Sequence, residues 1–143
     1  MNLLNGTLPT ELSQLSALSY LYVGDNNFTG TLPNEYGRLV ALKTLSVGQN
    51  SLSGTLPTEL GQLAALTNLG LYSNTFFGTI PTELGKITGL QLFLASSNTF
   101  SGTIPTELGR LTDLQYFYTD TNFLTGAIPS ELGHLIAVID VYV

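Results

Sequence analysis

The chain has 143 residues, with 43% hydrophobic, only 10% charged and a net charge of −6. That apolar content excludes a disordered acidic tail, and four Lys and Arg residues are too few to build a phosphate-binding surface for nucleic acid. There is no cysteine, so disulfides and thiolate metal sites are excluded.

The start, MNLLNGTLP, has neither a basic region nor a long apolar core, so it does not read as a signal peptide. It reads as the middle of a repeat, because Asn2 and Leu4 are in phase with Asn26 and Phe28. Glycine recurs at Gly6, Gly30, Gly54, Gly78, Gly102 and Gly126, and proline at Pro9, Pro33, Pro57, Pro81, Pro105 and Pro129. A constant step of 24 residues marks a solenoid, in which each repeat packs only on its neighbours. The far end, IAVIDVYV, stops inside the strand of the last copy, and both ends read as cut within a repeat. Residues 1–143 are therefore expected to form one domain of about six repeats, part of a longer protein. No apolar run approaches the roughly 20 residues of a membrane span.

Within one copy the segments follow in a fixed order. A short strand comes first, with Leu69 and Leu71 on its inner face by period-2 alternation. The equivalent pairs are Leu21/Val23, Leu45/Val47, Phe93/Ala95, Phe117/Thr119 and Val141/Val143. Ala95 and Thr119 thin this row, which predicts a weak point in the fourth and fifth strands. Asn26, Asn50, Asn74, Asn98 and Asn122 mark the bend that follows. Their amides are expected to satisfy backbone groups of the bend and of the next repeat. Phe28, Leu52, Phe76, Phe100 and Leu124 then form an apolar spine, read as packing rather than as a ligand site.

The next leg, G-T-[LI]-P, predicts a second short strand. Thr10, Thr58, Thr82, Thr106 and Ser130 are expected to cap a helical turn, with Glu behind them. From that turn Leu12, Tyr36, Leu60, Leu84, Leu108 and Leu132 point inward, as do Leu15, Leu39, Leu63, Ile87, Leu111 and Leu135.

The stretch LTNLGLYSNTFFGTIPTELGKI, Leu66–Ile87, resembles the leucine-rich repeat family, specifically its plant-type subclass with L-x-G-x-[IL]-P, and the resemblance covers essentially the whole chain. It implies a right-handed solenoid with a parallel sheet on its concave side and short helical or 3-10 turns on its convex side. Family members of this kind occur in receptor ectodomains and in secreted inhibitors of cell-wall-degrading enzymes. The resemblance thus favours an extracellular or cell-surface location.

On the concave side the outward rows are Tyr20, Thr44, Asn68, Leu92, Tyr116, Asp140, then Tyr22, Ser46, Gly70, Leu94, Tyr118, Tyr142, then Gly24, Gly48, Tyr72, Ser96, Asp120. Six of the seven tyrosines fall here. Tyrosine offers contact area and a hydroxyl at low entropic cost, which suits recognition. The expected binding residues are Tyr20, Tyr22, Tyr72, Leu92, Leu94, Tyr116, Tyr118, Asp120 and Tyr142. The expected partner is a protein or peptide, with carbohydrate as a second class, and the open ends also allow end-to-end self-association. A different reading takes Thr7, Thr31, Thr55, Thr79 and Thr103 as a ladder that orders water and binds ice, although Phe77 and Ala127 interrupt the neighbouring rows. The ordinary explanation of that ladder is β-propensity.

No catalytic constellation stands out. Glu11, Glu35, Glu59, Glu83, Glu107 and Glu131 form a repeated row on a solvated turn, unlike the single special pair of a glycosidase. Three of the positions three residues on, Arg38, Lys86 and Arg110, are basic and suit i,i+3 pairing with them. His134, the sole histidine, makes neither a zinc site nor a triad. No cofactor is expected. Two glycosylation sequons occur, Asn5-Gly6-Thr7 and Asn27-Phe28-Thr29.

Overall fold

The computed structural model describes residues 2–143. Each repeat makes one turn of a coil. Its first strand belongs to a sheet containing β2 (Tyr20–Tyr22), β4 (Thr44–Ser46), β6 (Asn68–Gly70), β8 (Leu92–Leu94), β10 (Tyr116–Tyr118) and β12 (Asp140–Tyr142). These strands pair in parallel, each offset from its neighbour by one repeat, as in Tyr116↔Leu92 and Tyr116↔Asp140. A second sheet holds β1 (Asn5–Thr7), β3 (Asn27–Thr31), β5 (Ser51–Gly54), β7 (Thr75–Gly78), β9 (Thr99–Gly102) and β11 (Phe123–Leu124). Short 3-10 turns, such as Thr58–Gln62 and Thr82–Lys86, close each coil on the far side.

The core runs down the coil axis. Leu45, Val47, Leu69, Leu71, Phe93 and Phe117 are fully buried under the first sheet, while Tyr36, Leu60 and Leu108 reach them from the turns. Phe93 and Phe117 stack with ring centroids 5.8 Å apart. The Thr119 hydroxyl oxygen is buried with no hydrogen-bond partner among the described residues. Phe76 and Phe100 stack likewise in the spine, 6.3 Å apart.

The asparagine row is the main polar device. Asn74 Oδ1 accepts from the Leu52 amide at 3.0 Å, and its Nδ2 donates to the Val47 and Leu71 carbonyls at 3.1 and 3.0 Å. Asn50 and Asn98 repeat the pattern one turn away on each side. Each amide therefore joins its own bend to the preceding repeat, not to the next one as the sequence suggested. The stagger of the second sheet, where Gly54 pairs with Phe76 of the following turn, brings the earlier backbone into reach.

Three further expectations are corrected. The second strand starts upstream of the predicted G-T-[LI]-P leg: β1 and β3 run into it as far as Thr7 and Thr31, whereas β5, β7 and β9 stop at its glycine. Those glycines have φ of 78–87°, which L-residues avoid, and the proline three residues on offers no amide. Thr10, Thr58, Thr82, Thr106 and Ser130 do not cap their turns. The preceding proline, with ψ near 129–134°, takes the cap position, and the hydroxyls instead donate to the neighbouring Glu carboxylates at 3.3–3.4 Å. At the two ends, Leu15, Val141 and Val143 are 49%, 44% and 52% exposed, because no further turn among the described residues lies over them.

Successive turns pack closely enough to restrict residue choice. A Cβ on Gly37 would lie 2.6 Å from the Glu59 carbonyl oxygen, so only glycine admits this spacing. At the bend, Thr121 adopts φ 55°, a strained position for a β-branched residue.

Candidate functional site

The first sheet presents the predicted rows in the predicted order. Tyr20, Thr44, Asn68, Leu92, Tyr116 and Asp140 are register partners, as are Tyr22, Ser46, Gly70, Leu94, Tyr118 and Tyr142. Alternation decides this, since the strand neighbours Leu21, Leu45, Leu69, Phe93 and Phe117 take the inner face. The third row, with Gly24, Gly48, Tyr72, Ser96 and Asp120, lies just past the strands, where the ladder continues through bonds such as Gln49 N–H to Tyr72 O at 2.8 Å.

The nine predicted binding residues share this face but do not form one patch. Tyr20 and Tyr22 stack at one end, 6.5 Å apart and nearly parallel, and both are exposed. At the centre, Tyr22, Tyr72, Leu92 and Leu94 wall a shallow hollow of about 190 Å³. Ser46 and Gly70 help to line it, and the Tyr72 ring lies against Gly48, where a Cβ would meet it at 2.6 Å. Small residues at these places let one large ring lie flat and leave open space beside it.

At the other end, Tyr116 and Tyr118 meet edge to face at 6.1 Å, and Tyr118 and Tyr142 at 4.7 Å. The Tyr118 hydroxyl donates to Asp140 Oδ2 at 3.4 Å. Partial desolvation, followed by the nearby Asp140 carboxylate, pushes the Tyr118 phenol above its ordinary pKa. Asp120 accepts from the Ser96 hydroxyl and, at 3.2 Å, from the Thr121 hydroxyl. Asp140, Ser46 and Gly70 were not among the predicted binding residues, although the same alternation that places the tyrosines places them here.

Tyr36, the tyrosine assigned to the core, is fully buried and donates to the Pro9 carbonyl at 3.1 Å. Burial, with a smaller effect of Glu11, pushes its phenol up to about 12.

The threonine ladder is exposed along its length at Thr7, Thr31, Thr55, Thr79 and Thr103. Each methyl leans toward the glycine of the following turn, so that a Cβ on Gly30 would meet Thr7 Cγ2 at 2.9 Å. Beside the ladder runs a wider groove of about 630 Å³, lined by Thr31, Thr55, Pro33, Glu35 and Glu59 among others. It is larger than the hollow on the tyrosine face but has no aromatic ring or large exposed apolar wall, so it offers a ligand less to bury against. Among the described residues, no group of three or more His, Cys, Asp and Glu side chains can hold a metal ion, and no helix is long and apolar enough to cross a membrane.

Comparison with known proteins agrees with this geometry. The model of the leucine-rich repeat region matches residues 2–135. No curated protein matches the chain in sequence. Among solved structures, it is similar to the ectodomain of the Arabidopsis thaliana membrane receptor kinase GASSHO1/SCHENGEN3 in complex with CASPARIAN STRIP INTEGRITY FACTOR 2, at 40% identity and a TM-score of 0.95 over 96% of this chain and 16% of that one. It is similar also to the Arabidopsis receptor kinase HAESA in complex with the peptide hormone IDA and the co-receptor SERK1, at 37% identity and a TM-score of 0.96, covering 99% of this chain and 24% of that one. A third is the plant peptide hormone receptor RGFR1 in complex with RGF2, at 35% identity and a TM-score of 0.96, covering 99% and 23%. The chain thus spans a quarter or less of those receptors' chains. Two parallel sheets, 3-10 turns and a right-handed coil that superposes on those ectodomains agree with the matched repeat region, and the chain belongs to the leucine-rich repeat family, in its plant type.

Proposed function

We propose that this chain is a non-enzymatic, extracellular recognition module that binds a protein segment or peptide on the tyrosine-bearing face of its first sheet. One observation carries the reading. The outward rows gather six of the seven tyrosines on one face, and two of them, Tyr22 and Tyr72, wall a hollow that Ser46 and Gly70 help to line. A coil fixed by its own ladders presents that face with little ordering cost on binding. The receptors similar to it in structure are solved with peptide ligands, which supports a peptide before a carbohydrate. Its unit is the whole chain, six turns acting as one domain.

The test is Tyr72→Ala, Tyr116→Ala and Tyr118→Ala in one variant. Peptides selected on the unaltered chain should no longer bind, with the circular dichroism spectrum unchanged. Retained binding would move the site elsewhere. The exposed row of Thr7, Thr31, Thr55, Thr79 and Thr103 favours ice binding as a second reading. A thermal-hysteresis measurement with no effect removes it.

A further inference from the structure

The two ends of the tyrosine face differ in chemistry. The hollow beside Gly70, walled by Tyr22, Tyr72, Leu92 and Leu94, carries no charged side chain. Two strands further on, three phenol rings crowd beside the Asp140 carboxylate, and the Asp120 carboxylate stands two residues along the chain from Tyr118. Tyr118 stands edge to face with both Tyr116 and Tyr142 and donates to Asp140, while Asp120 is held by the hydroxyls of Ser96 and Thr121. Neither Lys nor Arg occurs in the three outward rows. Neutral hydroxyls therefore hold both carboxylates, and each carboxylate has further lone pairs to offer. The faces of the phenol rings carry the negative end of their quadrupole, so rings and carboxylates attract the same kind of guest.

We propose that this corner, Tyr116, Tyr118 and Tyr142 with Asp120 and Asp140, binds a cationic side chain of the peptide ligand, an arginine, while an apolar residue of the same peptide fills the hollow beside Gly70. The inference rests on the peptide-binding reading of the same face. Arginine fits better than lysine, because a planar guanidinium stacks on a ring and bonds a carboxylate at its edge. Spacing adds a condition. β6 and β10 are two strand spacings apart, about 10 Å. An extended peptide crossing the strands advances about 3.3 Å per residue, so the two anchor residues should be about three positions apart.

The experiment selects a random dodecapeptide library on three proteins. They are the unaltered chain, the Asp120→Asn/Asp140→Asn variant, and a Glu83→Gln/Glu107→Gln variant that loses the same charge from the 3-10 turns. The unaltered chain and the Glu variant should enrich Arg about three positions from an apolar residue, and the Asp variant should not. In a recovered peptide, Arg→citrulline should weaken binding to the unaltered chain about tenfold, the equivalent of one exposed ion pair and one cation–π contact. Binding to the Asp variant should be indifferent to that change. Selected peptides without basic residues, or Arg enrichment lost equally in the Glu variant, would overturn the proposal. Neutral peptides that still require Tyr72, Tyr116 and Tyr118 would overturn it while leaving the face as the binding site. Failure to recover any peptide on this face would remove both readings.

Discussion

Asn74→Ala should cost far more than its size suggests. The residue is only 8% exposed, and its amide accepts from Leu52 and donates to Val47, linking consecutive turns, while a second donation to Leu71 holds its own bend. Truncation leaves the Leu52 amide, in a fully buried residue, without its partner. An unmet buried donor costs about 1–3 kcal/mol, and losing the two carbonyl contacts adds roughly 1 kcal/mol more. A total of about 3 kcal/mol corresponds to a drop in melting temperature of roughly 6–12 °C for a chain of this size. Two comparisons sharpen the test. Asn26→Ala, in the first turn, frees the amide of exposed Leu4, which water can rebond, so it should cost about 1 kcal/mol or less. Tyr72→Ala removes a half-buried ring from the outer face and should fall in the same low range. Denaturant midpoints would rank the three, and hydrogen exchange at the Leu52 amide would show whether the loss begins there. Equal costs for Asn74→Ala and Tyr72→Ala, or an unchanged Leu52 exchange rate, would refute the assignment of inside and outside.

The remaining predictions follow from other places in the coil. Gly37→Ala should destabilise by about 2 kcal/mol through contact with the Glu59 carbonyl, whereas Gly133→Ala, with nothing within 4 Å, should be close to neutral in the same denaturation experiment. Thr119→Val keeps the shape and removes the unpartnered buried hydroxyl, so it should stabilise by about 1 kcal/mol, read as a rise in the denaturant midpoint. Tyr36 is neutral when protonated and its folded pKa lies above the unfolded one. Its contribution is therefore complete below the ordinary tyrosine value of 10.0 and is lost as pH rises from there to about 12. In Tyr36→Phe that alkaline loss should shrink, as followed by thermal melts across this range.

Repetition made much of the molecule legible without coordinates. A step of 24 residues, leucines in period-2 pairs and one asparagine per turn were enough to place Leu69 and Leu71 inside and Tyr116 and Tyr118 outside. These depend only on local alternation, which each strand states for itself. Which neighbour a residue touches is a different kind of fact. Asn74 reaches back to Leu52 and Val47, and β7 pairs Phe77 with Thr99, because of the stagger between successive turns. No single repeat encodes that stagger. The same holds for the proposed site: the sequence put the tyrosines in rows, but only packing between turns divided them into a neutral hollow and an acidic aromatic corner. The sequence by itself determined the coil and its two faces, through the spacing of apolar side chains. The tertiary structure alone decided the bonds between turns, the open end rows at Val141 and Val143, and the meeting of Tyr118 with Asp140 and Tyr142, since all three depend on how one turn is set against the next.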